Sequence, residues 1–223
     1  MFNTLSAYHG ELLGFVLSFG MIAAYHLYLR WHLTRHDPHY TIQAIQADAR
    51  RHWVESVMRD KRDILAVQTL RNSTMAATFL ASTAVLLIMG TLSLSEHGND
   101  VAHALHALNI LGAVDPSLWL LKLLALVVDL FVAFFAFTLS IRKFNHVGYL
   151  LNLPAELNHP IITPAYVADY LNRAARYYST GMRAYYFTVP LLFWLFGPHL
   201  MVISSLVLIF VLYRLDRAPD AGD

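Results

Sequence analysis

Apolar and polar residues follow each other along this chain in long blocks. The apolar blocks cover residues 11–30, 73–94, 118–141 and 184–213. A helix needs about 20 apolar residues to cross the hydrocarbon core of a bilayer, and each block reaches that length. The pattern therefore predicts four membrane-spanning helices joined by polar segments.

The polar segment at residues 38–60 has the periodicity of an amphipathic helix. Its apolar side chains recur every three or four positions, which places them on one helix face. Asp37 and Pro38 resemble an N-cap followed by proline at the first helical position. We predict a helix over residues 38–60 that lies on the bilayer surface or on the rest of the bundle.

A second surface helix is predicted over residues 164–180. Thr163 and Pro164 repeat the signal of a capping residue followed by proline. Gly181 is expected to end this helix, because glycine readily adopts the conformation found after the last helical turn.

The second and fourth apolar blocks differ in continuity. No glycine or proline occurs between Pro38 and Gly90, so a helix can run without a break from its polar start into residues 73–94. Residues 184–213 contain Pro190 and the pair Gly197–Pro198, and proline kinks or ends a helix. We favour one bent span there, with a re-entrant hairpin of two half-helices as the alternative.

The distribution of basic residues predicts the orientation. Counting Arg30 at the end of the first span, eight Lys or Arg residues lie between the first two spans and five between the last two, whereas residues 93–117 contain none. The positive-inside rule then puts both long connections in the cytoplasm, as expected for a multi-pass protein of the inner membrane. Arg214 and Arg217 fit this rule better if the last block is a hairpin.

Composition supports a lipid-covered surface. The chain of 223 residues is 57% hydrophobic and only 14% charged, whereas about 25% charged residues is typical of soluble domains. A net charge of +1 gives no sign of nucleic-acid binding, and the absence of cysteine excludes disulfides and thiolate chemistry. The predicted fold is all-α: one integral membrane domain, a four-helix bundle with two amphipathic cytoplasmic helices and a proline-broken last span.

Four segments resemble an uncharacterised membrane-protein family, domain of unknown function 599. They are DILAVQTLRNSTMAA at residues 63–77, LSIRKFN at 139–145, GMRAYYF at 181–187 and LFWLFGP at 192–198. The resemblance covers most of the chain from about residue 10 to residue 216. It implies an integral membrane protein with four spans, of a kind found in bacteria and plants, and it implies no activity.

A collar of arginine and asparagine residues is the first candidate site. The predicted topology puts its members at the cytoplasmic ends of spans: Arg71, Asn72, Arg142, Asn145 and Arg183. Guanidinium groups bind phosphate or carboxylate in bidentate fashion, so the collar could hold a small anion or an acidic lipid. The alternative is plain anchoring at the positive side of the membrane.

A polar path inside the membrane is the second candidate. Asp129 lies at the middle of the third span, where a lone carboxylate costs about 2.5–3.5 kcal/mol on insertion scales. It should therefore bind a proton or find a partner, and His199, after the Gly197–Pro198 break, is the expected one. Thr78 and Ser82 of the second span would complete the path. The alternative is a purely structural, protonated Asp129.

Some of the histidines form two clusters in the sequence. His103 and His106 share a helix face, and His32, His36 and His39 form a second cluster, yet neither carries a metal-site motif. No catalytic motif is present, so we predict no bound metal, no cofactor and no enzymatic activity.

These observations lead to two hypotheses of function ahead of a third, a metal- or cofactor-dependent membrane enzyme. The first is a homo-oligomeric channel or transporter-like protein that conducts anions or protons, with Asp129 and His199 in its interior. The second is an accessory or scaffold protein that binds acidic lipids or a larger membrane complex. The expected partners are the lipid bilayer, a second copy of the chain and an acidic lipid or small anion, without nucleic acid.

Overall fold

The computed structural model describes residues 2–35, 40–60, 62–96, 116–153 and 160–217, which form six α-helices. In chain order these are α1 (Phe2–Arg35), α2 (Ile42–Asp60), α3 (Asp63–Glu96), α4 (Pro116–Leu151), α5 (Pro164–Phe196) and α6 (Pro198–Asp216). The extended pairing found within the described ranges is one isolated bridge between Thr41 and Arg217. The fold is therefore all-α, as predicted.

The continuity predicted for the second apolar block is confirmed. Helix α3 runs from Asp63 through the polar residues and on to Glu96 without a break. Its hydroxyl groups donate to carbonyls one turn back, as Ser73 does to Thr69 and Thr78 does to Thr74. Because these donors are satisfied within the helix, the polar start of α3 does not interrupt it.

The predicted first residue is correct for one of the two surface helices and wrong for the other. Helix α5 begins as expected, with the Thr163 hydroxyl accepting a hydrogen bond from the Tyr166 amide and Pro164 in the first turn. Helix α2 begins at Ile42 rather than at residue 38, because Thr41 supplies the cap by accepting from the Ala44 amide. The predicted cap residues Asp37 and Pro38 lie outside the described residues.

Gly181 does not end a helix, contrary to expectation. Helix α5 passes through it and continues to Phe196, so the surface helix and the next apolar stretch are one element of 33 residues. A β-carbon on Gly181 would lie 2.7 Å from the ring of Phe137 on α4. Glycine is therefore present for close packing of α5 on α4 and not as a terminator.

The last apolar block is a hairpin and not one bent span. Helix α5 ends at Gly197, whose φ of 147° is accessible mainly to glycine, and Pro198 opens α6. Helix α6 then returns along α5, because Asp216 at its end contacts Arg183 on α5. The reversal brings Arg217 next to Thr41, at the same end as the basic connections.

The helices pack side by side in the order α3, α4, α5, α6, α1. We call the end that contains Thr41 and Arg217 the basic end, and the opposite end, at Gly197, the hairpin end. Helix α1 starts at the hairpin end, because Gly14 packs against Pro198 so closely that a β-carbon there would lie 2.7 Å from the proline ring. Helices α3 and α1 are the outer members of the row.

Most of the apolar surface of the long helices points outward. Within the described residues, four segments are long and apolar enough to cross a membrane: His9–His32, Ile64–Ser95, Ser117–Leu151 and Pro198–Asp216. In an apolar stretch of 18 residues within each segment, only 22–39% of the residues are buried inside the protein, and side chains such as Phe79, Leu86 and Phe210 are more than 60% exposed. An apolar surface of this extent suits lipid rather than water.

Helix α2 is docked on the basic end of the bundle. The Arg50 guanidinium donates to Oδ1 of the Asn172 side chain at 2.7 Å, and Nδ2 of the same side chain donates to the Ala47 backbone carbonyl at 3.1 Å. Burial lowers the pKa of Arg50, and the neighbouring charge of Arg176 lowers it further. Helix α2 therefore packs on α5. Of the two predicted positions, on the bilayer surface or on the rest of the bundle, the structure has the second.

Replacing Gly181 by alanine tests the α4–α5 packing. We expect Gly181→Ala to lower the free energy of unfolding by about 1–3 kcal/mol, because the ring of Phe137 is fully buried and has little room to move. Gly90→Ala is the matched control, since nothing lies within 4 Å of a β-carbon there. Unfolding of the detergent-solubilised variants measures both, and equal stability of the two would contradict the packing described.

Candidate functional site

Three groups of polar side chains lie between the helices, at successive levels along α5. We call them the hairpin tier (Glu11, Lys122, Trp194), the middle tier (Asp129, Thr188) and the basic tier (Tyr25, Arg183, Asp216). Each joins side chains from at least two helices. Buried polar groups in a membrane-spanning region are costly, so these tiers are the places where function is to be sought.

The hairpin tier is a buried ion pair. The Lys122 ammonium donates to Glu11 Oε1 at 2.9 Å, and the Trp194 indole N–H donates to Glu11 Oε2 at 2.7 Å. The two charged side chains are 5% and 2% exposed. Both carboxylate oxygens are thus hydrogen-bonded, which is the condition under which a buried pair offsets the cost of removing it from water.

The fold around the hairpin tier explains how three helices reach it. Gly14 lies one turn after Glu11 and lets α1 approach the start of α6 at Pro198. The Gly197 amide donates to the Trp194 carbonyl, so the turn holds the end of α5 and its indole in place. Phe15 packs on the Trp194 ring with 4.9 Å between centroids, and the Lys122 ammonium lies 5.6 Å from the same ring.

Sequence reasoning missed this ion pair. No role is predicted for Lys122 or for Glu11 from the sequence. A usable signal was present, because Glu11, Lys122 and Asp129 are charged residues inside the predicted apolar blocks. Opposite charges in two different spans are candidates for pairing.

The middle tier contains Asp129, and its partner is Thr188 rather than His199. The Thr188 hydroxyl lies 2.8 Å from Asp129 Oδ2 and 3.2 Å from the Ala184 carbonyl oxygen. No ion pair to Asp129 occurs among the described residues. Asp129 is therefore a half-buried carboxyl group with a hydroxyl partner and without a cation.

The other members of the predicted path lie on the outside of the chain. His199 is exposed in the first turn of α6, and Thr78 and Ser82 are exposed on α3. The structure therefore does not bring them together with Asp129 within one copy of the chain.

The basic tier joins the end of α6 to α1 and α5. The Tyr25 hydroxyl donates to Asp216 Oδ2 at 3.1 Å, and the Arg183 guanidinium contacts both carboxylate oxygens at 3.3 and 3.4 Å. Asp216 is buried and Arg183 is half-buried. Arg183, one of the residues of the predicted collar, thus forms an ion pair with Asp216 that joins α5 to α6.

The remaining collar residues are open to the surroundings. Arg71 and Asn72 are exposed on α3, and Arg142 and Asn145 are exposed on α4. No hydrogen bond or ion pair joins any two of these four, all of which lie within the described residues. The structure brings them to the basic end without assembling them into one bound cluster.

The three tiers are stacked along the bundle. Trp194, Thr188 and Arg183 follow each other on α5 at intervals of six and five residues. With a rise of about 1.5 Å per residue, the tiers are separated by about 9 Å and about 7.5 Å. Polar groups therefore occur at regular intervals from the hairpin end to the basic end.

The described part of the chain contains few clustered metal-binding side chains. No group of three or more His, Asp or Glu side chains there could hold a metal ion. The histidines at 36, 39, 103 and 106 lie outside the described residues.

Four long apolar helices with charged groups between them are the architecture of a multi-pass membrane protein. The chain belongs to the family of proteins of unknown function designated DUF599, whose model matches residues 13–221. This match confirms the resemblance drawn from the four sequence segments. No curated protein and no solved structure matches the chain.

Removing one or both partners of the buried ion pair tests the hairpin tier. We expect Lys122→Met to lower the free energy of unfolding by about 3–5 kcal/mol, because it leaves the Glu11 carboxylate buried without a cation. The double variant Glu11→Gln, Lys122→Met should recover most of this loss, since no uncompensated charge remains and the amide oxygen still accepts from Trp194. Unfolding in mixed detergent measures wild type, the single variants Lys122→Met and Glu11→Gln, and the double variant, and additive losses would contradict the pairing.

Proposed function

We propose that this chain is a membrane transport protein that carries protons between its hairpin end and its basic end. The observation that supports the proposal most is the middle tier, where a carboxyl group that has no cation among the described residues lies between two tiers that each contain an ion pair. Ionisable groups at the middle of a membrane-spanning helix are most often part of an ion or proton pathway.

The geometry at Thr188 suits a carboxyl group that gains and loses a proton. When Asp129 is ionised, the Thr188 hydroxyl donates its one hydrogen to Oδ2. When Asp129 is protonated, its O–H donates to the threonine oxygen, and the threonine hydrogen turns to the Ala184 carbonyl 3.2 Å away. Both charge states are thus hydrogen-bonded without movement of either helix.

The two outer tiers fit the role of proton exchange with the membrane surfaces. Glu11 and Asp216 are the carboxyl groups nearest the hairpin end and the basic end of the path, and each is held by a cation and by an aromatic donor. The intervals of about 9 Å and about 7.5 Å are too long for direct hydrogen bonds between tiers. The proposed path therefore includes water between them.

The outer face of α3 favours a homo-oligomer. Helix α3 is one edge of the row, and it exposes the polar side chains of Gln68, Asn72 and Ser82. Polar groups that face lipid are unfavourable, whereas the same groups facing another helix can form hydrogen bonds. We propose that a second copy of the chain covers this face.

By the positive-inside rule, the basic end faces the cytoplasm.

Replacing Asp129 by asparagine tests proton transport. Asparagine keeps the shape and can bond to Thr188, yet it cannot bind and release a proton. We expect Asp129→Asn to slow dye-detected proton flux into liposomes by roughly a hundredfold, an effect typical of losing a positioned proton-transfer group. The measurement uses the full chain in liposomes with a potassium diffusion potential.

Asp48→Asn is the matched control for this experiment. Asp48 is exposed on α2, and the same chemical change there leaves the tiers untouched. Wild type and Asp48→Asn should conduct protons equally. Proton flux through wild type no faster than in empty liposomes, or undiminished flux in Asp129→Asn, would contradict the proposal.

A further inference from the structure

An apolar groove lies on the outer surface between α4 and α5. It has a volume of about 400 Å³ and is lined by six side chains of α4 and two of α5: Val128, Phe131, Val132, Phe135, Ala136, Leu139, Tyr177 and Thr180. The large α4 side chains in this lining are 39–58% exposed, so the groove opens to the surroundings of the bundle. It is separate from the three tiers of the proposed proton path.

A cation stands at one end of the groove. The Lys143 ammonium lies 5.6 Å from the ring of Tyr177, which also lines the groove, and 4.6 Å from the ring of Tyr170. In the described part of the chain, Lys143 has no carboxylate within ion-pair distance. The two rings hold the ammonium group in position while leaving it free to meet an anion.

Further basic side chains lie beside Lys143. Arg142 is the preceding residue on α4, and Arg173 lies one turn before Tyr177 on α5, and both are exposed. The nearest acid on α5, Asp169, is paired with Arg51 at 3.2 Å. The groove therefore ends in a region of positive charge.

The length of the groove matches one leaflet of a bilayer. Residues 128–139 of α4 extend over about 16 Å at 1.5 Å per residue. Half of the hydrocarbon core of a bilayer is about 15 Å thick. A lipid chain in the groove would thus run from the bilayer midplane, near residue 128, to the headgroup level, near Lys143.

We propose that this groove binds an anionic glycerophospholipid of the leaflet at the basic end. One acyl chain lies along the apolar side chains of α4, and the phosphate is bound by the Lys143 ammonium, with Arg142 and Arg173 nearby. Charge complementarity selects an anionic headgroup over a zwitterionic one, since Lys143, Arg142 and Arg173 are positive and the neighbouring Asp169 is already paired with Arg51.

Native mass spectrometry of the full chain in detergent tests the proposal with two probes, phosphatidylglycerol and phosphatidylcholine with identical acyl chains. Wild type should retain phosphatidylglycerol in preference. Lys143→Gln should weaken that retention about fivefold, the effect of one lysine near an anionic surface. Arg59→Gln should leave it unchanged, because Arg59 is exposed on α2 and paired with Asp60.

A second variant and a second measurement cover the apolar part of the groove. Val132→Trp should fill the groove and reduce retention although every basic residue remains. A photoreactive phosphatidylglycerol with the reactive group on its acyl chain should label residues 128–139 of wild type. Equal retention of both lipids, unchanged binding by Lys143→Gln, or labelling confined to other helices would overturn the proposal.

Discussion

The ion pair between Glu11 and Lys122 determines how the first helix joins the rest of the structure. Helix α1 packs mainly on α6, and most of its surface is not covered by the protein. A lone Lys or Asp at the centre of a membrane helix costs about 2.5–3.5 kcal/mol on insertion scales, and Glu11 and Lys122 would each be unfavourable alone. Pairing them, with Trp194 on the second carboxylate oxygen, fixes α1 against α4 and the end of α5.

The reversal at Gly197 is the second constraint on the architecture. A positive φ at this residue and proline at the next end one helix and begin another without a loop. Helix α6 can then return to the basic end, where Asp216 meets Arg183 and Tyr25. As parts of a single bent span, Arg214 and Arg217 would lie on the side of the membrane opposite to the other basic residues. The hairpin removes this conflict with the positive-inside rule, since both arginines lie at or near the basic end. One hairpin thus satisfies packing and electrostatics together.

Local features of the fold could be predicted from the sequence, because they depend on neighbouring residues. The continuity of α3, the Thr163 cap and the four apolar blocks follow from spacing, capping chemistry and length. The prediction that Gly181 ends a helix is wrong, because the role of this glycine depends on the ring of Phe137 on another helix. The partner of Asp129 was misjudged for the same reason: which residue faces it depends on how α4 and α5 pack, and helical periodicity within one block carries no such information.

In the candidate sites too, the sequence shows which residues are unusual, whereas their partners depend on how the helices pack. Charged residues inside apolar blocks were visible as unusual, and Asp129 was singled out for that reason. The pairing of Glu11 with Lys122, and of Arg183 with Asp216, required knowledge of which helices are neighbours and of their direction. The direction of α6 in particular depends on a single backbone conformation at Gly197, which the residues flanking it do not specify.

A direct distance measurement tests the central claim that α1 and α4 meet through this ion pair. The chain has three lysines, Lys61, Lys122 and Lys143, so the ¹⁵N signal of Lys122 can be assigned by substitution. Solid-state NMR of the protein in bilayers should detect a dipolar coupling between Lys122 Nζ and the Glu11 side-chain carboxyl carbon, as the 2.9 Å separation of Nζ and Oε1 requires. A Lys122 signal without coupling to any carboxyl carbon would contradict the account.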